Sequence, residues 1–250
     1  MQYSTFAAID IGSYDVILEI FEISKKQGIR SVDKICHRME LGKDTYTLGK
    51  IRPEMEEELC RVLADFVRIM EGYRVDDYRA TASSAISEAS NSLYVLGKIH
   101  QLTGLSVTVL SNSEQRFLSY KALAAMEDNF NKIIEKGTAI LDLDGGSFQI
   151  SLFDKDALVT TQNIRMGSLR IRERLAGIQS ETEHYEEMVE ELIWNEVSSF
   201  KKMYLKDRKI ENIMLIGDVF TDSVYQNIEE KTTKIISREN FNTCLLYTSD

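Results

Sequence analysis

The sequence predicts an α/β protein built from two halves that open in the same way. Three observations predict it. Apolar strand-like runs alternate with stretches of helical periodicity along most of the 250 residues. Residues 6–18 (FAAIDIGSYDVIL) and 139–153 (AILDLDGGSFQISLF) both read apolar run, acid, glycine, serine, apolar run. The two acids, Asp10 and Asp142, are 132 residues apart, and each copy stands at the head of a run of strands.

Residues 5–11 and 15–23 read as strands, the first too apolar for a strand with a solvated face. Residues 31–40 read as a third strand, and 42–49 as a polar loop. Pro53, the only proline, suits the first turn of a helix reaching about Met70, with Leu59, Val62, Leu63, Phe66 and Ile69 at helical spacing. A short strand at 78–82 precedes a helix from about 88 to 102, ended by Gly104. Residues 106–110 alternate as a strand. A helix to about Met126 follows, with Asn112 or Ser113 as its N-cap. The second half offers strands near 138–143, 148–153 and 157–165, a long helix over about 181–204, and a buried strand at 212–216 ending on Gly217. The expected organisation is 1–126, 127–243 and a non-native tail at 244–250 (CLLYTSD), with the second domain incomplete.

A net charge of −10 argues against a general nucleic-acid binder, and a polyanionic ligand then needs local basic groups or a bridging divalent cation. Cys36, Cys60 and Cys244 show no metal-ligand spacing and read as small buried hydrophobes. No run of about 18 apolar residues exists and the first residues lack the pattern of a signal peptide. A cytoplasmic protein with no membrane partner is the expectation.

An Asp at the end of a buried strand is costly unless it pairs or binds a cation. Glycines beside it let backbone N–H groups approach a ligand. One Asp-Gly turn is common in ordinary hairpins. Two in matching context point to a pair of phosphate turns, with amides cradling oxygens and Asp10 and Asp142 holding Mg²⁺ or its waters.

The arrangement resembles the actin, sugar kinase and heat-shock ATPase superfamily. Within it the chain is most similar to the exopolyphosphatase / guanosine pentaphosphate phosphohydrolase (Ppx/GppA) family. AAIDIGS resembles the first phosphate turn of that family, ASSAISEASN (82–91) its second segment, and LSNSEQRFLSY (110–120) its Glu-rich segment. LDLDGGSF (141–148) resembles the second phosphate turn, IRMGSLRIRERL (164–175) the run after it, and LIGDVFT (215–221) the last turn. The resemblance implies two actin-like (ribonuclease H-like) domains with the active-site cleft between them. It implies a Mg²⁺-dependent hydrolase of terminal phosphoanhydride bonds, acting on polyphosphate or guanosine pentaphosphate. Gly12, Ser13, Gly145, Gly146 and Ser147 are then the phosphate-binding residues, Asp10 and Asp142 the metal residues, and Glu114, or less well Gln115, the catalytic residue that positions water. A homodimer is compatible with it.

The departures fall on chemical positions. The catalytic Glu of the family falls on Gln115, the Glu closing its second turn on Gln149, and a phosphate-binding Arg on Ser87. Tyr14-Asp15 replaces Asn-Ser, Asp144 replaces one glycine and Phe220 another. A neutral amide orients water but does not take its proton, so a weakened polyphosphate or nucleotide sensor is the alternative. A kinase of the superfamily is disfavoured by Phe220. Asp144 reads as a turn residue or a second metal ligand, and Tyr14 as a stacking or a gap-filling ring. Arg165, Arg170, Arg172 and Arg174 read as a solvated helix face or a funnel for a polyanion.

Overall fold

The computed structural model describes residues 3–126, 129–179, 184–206, 208–217 and 234–236. The chain divides into two compact units, Met1–Gln115 and Arg116–Asp250. The division falls inside one helix.

In the first unit, β1 (Ser4–Ile11), β2 (Asp15–Ser24) and β3 (Gly28–Arg38) form an antiparallel meander. β1 also pairs in parallel with β4 (Asp77–Ala82), and β4 with β5 (Val107–Val109), giving the order β3-β2-β1-β4-β5. Alternation sets the inner face: Ala7, Ile9 and Ile11 of β1 and Val16, Leu18 and Ile20 of β2 are buried together. Helix α2 (Pro53–Tyr73) closes that core with Leu59, Val62, Leu63, Phe66 and Met70. Pro53 sits in its first turn, where a missing N–H costs no bond.

The segment read as a polar loop is helix α1 (Leu41–Leu48). It starts after Glu40 and stops at Gly49, both with left-handed φ, of 52° and 69°; glycine takes the second without strain. The helix expected over about 88–102 is α4 (Ser92–Thr103), which starts later, and a separate one-turn helix, α3 (Ser84–Ser87), precedes it. The break follows from Asn91. Its Oδ1 accepts the Ile51 N–H at 3.0 Å, and its Nδ2 donates to Ile51 O and Glu56 Oε1 at 2.8 and 2.9 Å. A side chain so engaged holds the 88–91 connection against the start of α2.

Helix α5 (Asn112–Met126) runs across the division of the units. Beyond it, α6 (Phe130–Ile134) precedes β6 (Thr138–Leu143), β7 (Phe148–Asp154) and β8 (Ala157–Ile164), again an antiparallel meander. β6 pairs in parallel with β9 (Asn212–Ile216), and β9 antiparallel with β10 (Lys234–Ile236), so the order is β10-β9-β6-β7-β8. Leu141, Phe148, Ile150, Leu152, Ile164 and Leu215 build one core, with Phe200 of α8 (Tyr185–Phe200). Ile140, Phe153 and Met214 build another with Leu123, Phe130 and Ile134.

The long helix expected over 181–204 is described as α8 followed by a π-helical segment, Lys201–Leu205. Helix α7 (Ser168–Gln179) holds three of the four arginines of the basic run. Of the cysteines, Cys60 is buried as expected but Cys36 is exposed on the edge strand β3, and Cys244 lies outside the described residues. So do the tail 244–250 and Phe220.

Candidate functional site

Register places the two acids at equivalent points. Asp10 pairs with Ile17 across the first hairpin and Asp142 with Gln149 across the second, each seven residues on. Each is also paired with a parallel strand, through Thr81 and Ile216. The hairpin turns are closed by the same bond: Gly12 N–H donates to Asp15 O and Asp144 N–H to Ser147 O, both at 2.9 Å. Gly12 therefore matches Asp144, Ser13 matches Gly145, Tyr14 matches Gly146 and Asp15 matches Ser147. The match by position is not the match by composition, because the Gly-Ser pairs of the two turns are out of step.

The turns are also braced alike. In the first, Ser13 O accepts the Gly42 N–H at 2.8 Å, and Tyr14 O accepts those of Met39 and Glu40 at 3.0 and 2.9 Å. In the second, Asp144 O accepts the Ser168 N–H at 3.2 Å and Gly145 O the Arg170 N–H at 3.1 Å. Gly146 O accepts Arg170 Nε–H at 3.0 Å. In both units the chain leaving the third strand begins a helix whose first residues bind the turn carbonyls. A trans peptide holds its N–H opposite its C=O, and no peptide among the described residues is cis. The N–H groups of Tyr14 and Asp15, and of Gly145, Gly146 and Ser147, therefore point away from the bracing segment. Rows of like-directed amides are one way that backbones bind anions. The amides of Tyr14 and Asp15 belong to such a row, which their side chains do not signal in the sequence.

Packing leaves no room for error here. A Cβ on Gly12 would stand 2.9 Å from Asp15 O, and one on Gly167 would overlap Asp144 O, Gly145 C and Ser147 N. Ser13, with 5% of its surface exposed, meets the Tyr46 hydroxyl at 2.6 Å and Ser84 Oγ at 3.3 Å. Arg38 stacks on the Tyr14 ring, its Cζ 4.1 Å from the centroid. Asp10 is exposed and touched by Thr81 Oγ1 at 3.4 Å, and Asp142 is half-buried. Asp142, Gln149 and Asn163 are successive cross-strand neighbours, and the buried Asn163 Oδ1 has no protein hydrogen bond. Further along β7, Tyr120 donates to Ser151, which lies 3.2 Å from Thr161. Burial pushes the Tyr120 phenol up, and Asp142 adds to the rise.

The N-cap of α5 is Ser111, not Asn112 or Ser113. Glu114 Oε2 accepts the Ser111 N–H at 2.9 Å and its Oγ–H at 2.7 Å, while Ser111 Oγ accepts the Glu114 N–H at 3.3 Å. This is a reciprocal capping box, legible in Ser111-Asn112-Ser113-Glu114 as S-x-x-E. The Ser111 hydroxyl, then its amide, and Arg79 hold the Glu114 carboxyl below the ordinary range. Its cap is complete above the unfolded value of about 4.3 and weakens as pH falls through the lower folded value. In acid titrations followed by circular dichroism, the native chain should therefore lose stability relative to Glu114→Gln, whose amide caps but does not titrate, only below about pH 4. Gln115 follows on the helix, half-buried, its N–H bonded to Ser111 O at 3.0 Å. Ser87 is exposed at the end of α3. Arg170 is committed to the second turn and Arg172 pairs with Glu173 at 3.2 Å.

These two sheets, each with a three-strand meander joined to a parallel strand, make this an α/β protein of the actin-like two-domain kind. The chain matches the model of the Ppx/GppA phosphatase family over residues 19–249, and it belongs to that family. The bifunctional 3-dehydroquinate synthase/phosphatase of Fusobacterium nucleatum is 22% identical over 238 residues, 90% of this chain and 34% of that protein. Exopolyphosphatase 1 of Mycobacterium leprae is 25% identical over 144 residues, 57% of this chain and 41% of that protein. The chain thus spans between 34% and 41% of the length of these curated relatives. In fold it is similar to an exopolyphosphatase from Cytophaga hutchinsonii, with a TM-score of 0.74 at 20% identity, covering 87% of this chain and 68% of that one. An Aquifex aeolicus Ppx/GppA family member gives a TM-score of 0.67 at 21% identity, covering 91% and 72%. Among the described residues no helix is long and apolar enough to cross a membrane.

Proposed function

We propose that this chain is the phosphate-handling part of a Ppx/GppA-type phosphohydrolase, acting with Mg²⁺ on the terminal phosphoanhydride bond of inorganic polyphosphate or guanosine pentaphosphate in the cytoplasm. The observation that supports the reading is the matched bracing within each turn, which in each unit turns a set of backbone amides to one side, as a phosphate turn requires. Net charge does not attract such a ligand at −10, so fixed dipoles and a cation must do so. The names of the mycobacterial relatives point to polyphosphate.

The donor set fits Mg²⁺. Mg²⁺ prefers oxygen ligands and asks for only one or two carboxylates, completing its shell with phosphate oxygens and water. Asp10 and Asp142 would hold it, and the buried Asn163 Oδ1 offers a further hard oxygen near the second turn. When bound, the ion neutralises charge on the phosphate oxygens. The rest falls to the chain. In the reaction, water oxygen bonds to the terminal phosphorus, the bridging P–O bond breaks, and the shortened chain leaves with the bridging oxygen. The water proton needs an acceptor. Gln115 orients water but does not accept its proton; Glu114 is ionised, yet its lowered pKa makes it a weaker base and its oxygen already serves Ser111.

That engagement favours a second reading, a sensor that binds the ligand and turns it over slowly. One assay separates them. The chain is incubated with Mg²⁺ and long-chain polyphosphate, and in parallel with guanosine pentaphosphate, and phosphate release is followed. The hydrolase reading expects release, reduced ~10²-fold by Glu114→Gln with the fold retained by circular dichroism, and raised at least ~10²-fold by Gln115→Glu. Binding without release, unchanged by Gln115→Glu, leaves the sensor. Absence of both binding and release contradicts both readings.

A further inference from the structure

The two turns differ in how an arginine meets them. In the second, Arg170 Nε–H donates to Gly146 O. In the first, the guanidinium carbon of Arg38 lies 4.1 Å from the centroid of the Tyr14 ring. Neither the family match nor the reading above gives the Tyr14–Arg38 pair a role. Its place follows from register. Asp15 pairs with Arg38 and Ile17 with Cys36, and Ile17 pairs on its other side with Asp10. Residues two apart on a strand share a face. Arg38 therefore emerges on the face of the first sheet that carries Asp10, opposite the buried face of Val16 and Leu18. Met39 and Glu40, which follow it, donate their N–H groups to Tyr14 O at 3.0 and 2.9 Å. Residue 14 thus holds the end of β3 twice, through its ring and through its carbonyl, and the guanidinium sits one ring away from the Tyr14 backbone.

The stack restricts the cation without consuming its N–H donors, because the ring face attracts the charge as a whole. Glu40 approaches Arg38 Nε at 3.8 Å, longer than a hydrogen bond, and the Arg38 side chain is 55% exposed. Its donors are within reach of a ligand coming from solvent. The charge also has work to do there. Asp10, Asp15 and Glu40 put three carboxylates at or beside the first turn, so a polyphosphate docking on the turn amides meets repulsion unless cations offset it. Ser87 carries no charge where the resemblance expects an arginine. Arg38 is a cation that the chain itself brings to this turn, and an arginine fork suits phosphate oxygens.

We propose that Arg38 binds a phosphate oxygen of the ligand at the first turn, supplying the guanidinium absent at Ser87, and that Tyr14 is the positioning residue that holds it by stacking. The proposal rests on the reading of residues 10–15 as a phosphate turn, and its test separates the two. Binding of tripolyphosphate with Mg²⁺ to the full chain is measured by calorimetry at several salt concentrations, below the melting temperature of every variant. Arg38→Met should weaken binding about ten- to a hundredfold, as the loss of a charge-assisted hydrogen bond does. It should also lessen the fall of affinity with added salt, since one ligand-facing charge is gone. Arg38→Lys, which keeps the charge but not the planar fork, should fall between native and Arg38→Met. Tyr14→Leu keeps the backbone amide and removes the stack, and should weaken binding about two- to fivefold; Tyr14→Phe, which restores a ring face, should bind more tightly than Tyr14→Leu. In the Arg38→Met background Tyr14→Leu should change nothing further. Equal weakening by Tyr14→Leu in both backgrounds overturns the positioning role. A native chain that binds, with Arg38→Met binding as tightly and with the same salt dependence, overturns the proposal and leaves the phosphate turn. A native chain that does not bind removes the turn reading and the proposal together.

Discussion

Gly167→Ala is expected to destabilise the second unit by at least about 3 kcal/mol and to abolish ligand binding at its turn. The position has no slack: the added methyl would meet the carbonyl oxygen of Asp144, the carbonyl carbon of Gly145 and the amide nitrogen of Ser147. All three are backbone atoms, so no side chain can swing aside. Relief requires moving Ser168 and Arg170 away from the turn, which breaks their bonds to Asp144 O, Gly145 O and Gly146 O. Denaturant unfolding monitored in each unit is the readout. Because the units have separate cores, the midpoint of the second should fall while that of the first stays.

Asp44→Ala is the counterpart in the first unit, with an expected loss of about 3 kcal/mol. The Asp44 side chain is 2% exposed and takes three donors from one residue: Arg52 N–H and Nε–H, both at 2.9 Å, and its terminal nitrogen at 2.8 Å. Removing the carboxylate strands the amide of Arg52 at the N-terminus of α2 and cuts this tie between α1 and α2. Since α1 also donates the Gly42 N–H to Ser13 O, tripolyphosphate affinity should fall with stability. Asp44→Asn, which retains an acceptor oxygen, should recover part of both. Calorimetric binding and thermal melts on the same samples check the coupling.

What could be read in the sequence follows the nature of the contacts. β1, β7 and α2 were legible because apolar side chains repeat with the period of the element, as in Leu59, Val62, Leu63 and Phe66. Helix α1 was not, because Gly42, Asp44, Thr45 and Tyr46 are held by polar bonds to partners 8 to 40 residues away or across the first turn. No local periodicity reports such bonds. The echoed acids were visible, but the equivalence of Gly12 with Asp144 needed the strand register. Arg170 illustrates the same limit: a guanidinium in a basic run reads as a surface or a funnel, and only the fold directs its Nε–H to Gly146 O. Glu114 is singled out as the carboxylate beside Gln115, on which the catalytic Glu of the family falls, although the S-x-x-E spacing that ties it to Ser111 is also in view.

The central claim is that bracing of the carbonyls in both turns presents their amides to a phosphate chain. Backbone amide NMR of the isotope-labelled chain, titrated with tripolyphosphate and Mg²⁺, tests it directly. The account predicts saturable downfield shifts of the amide protons of Tyr14, Asp15, Gly145, Gly146 and Ser147. Saturable binding that moves other amides and leaves these five in place, or no binding at all, would contradict it.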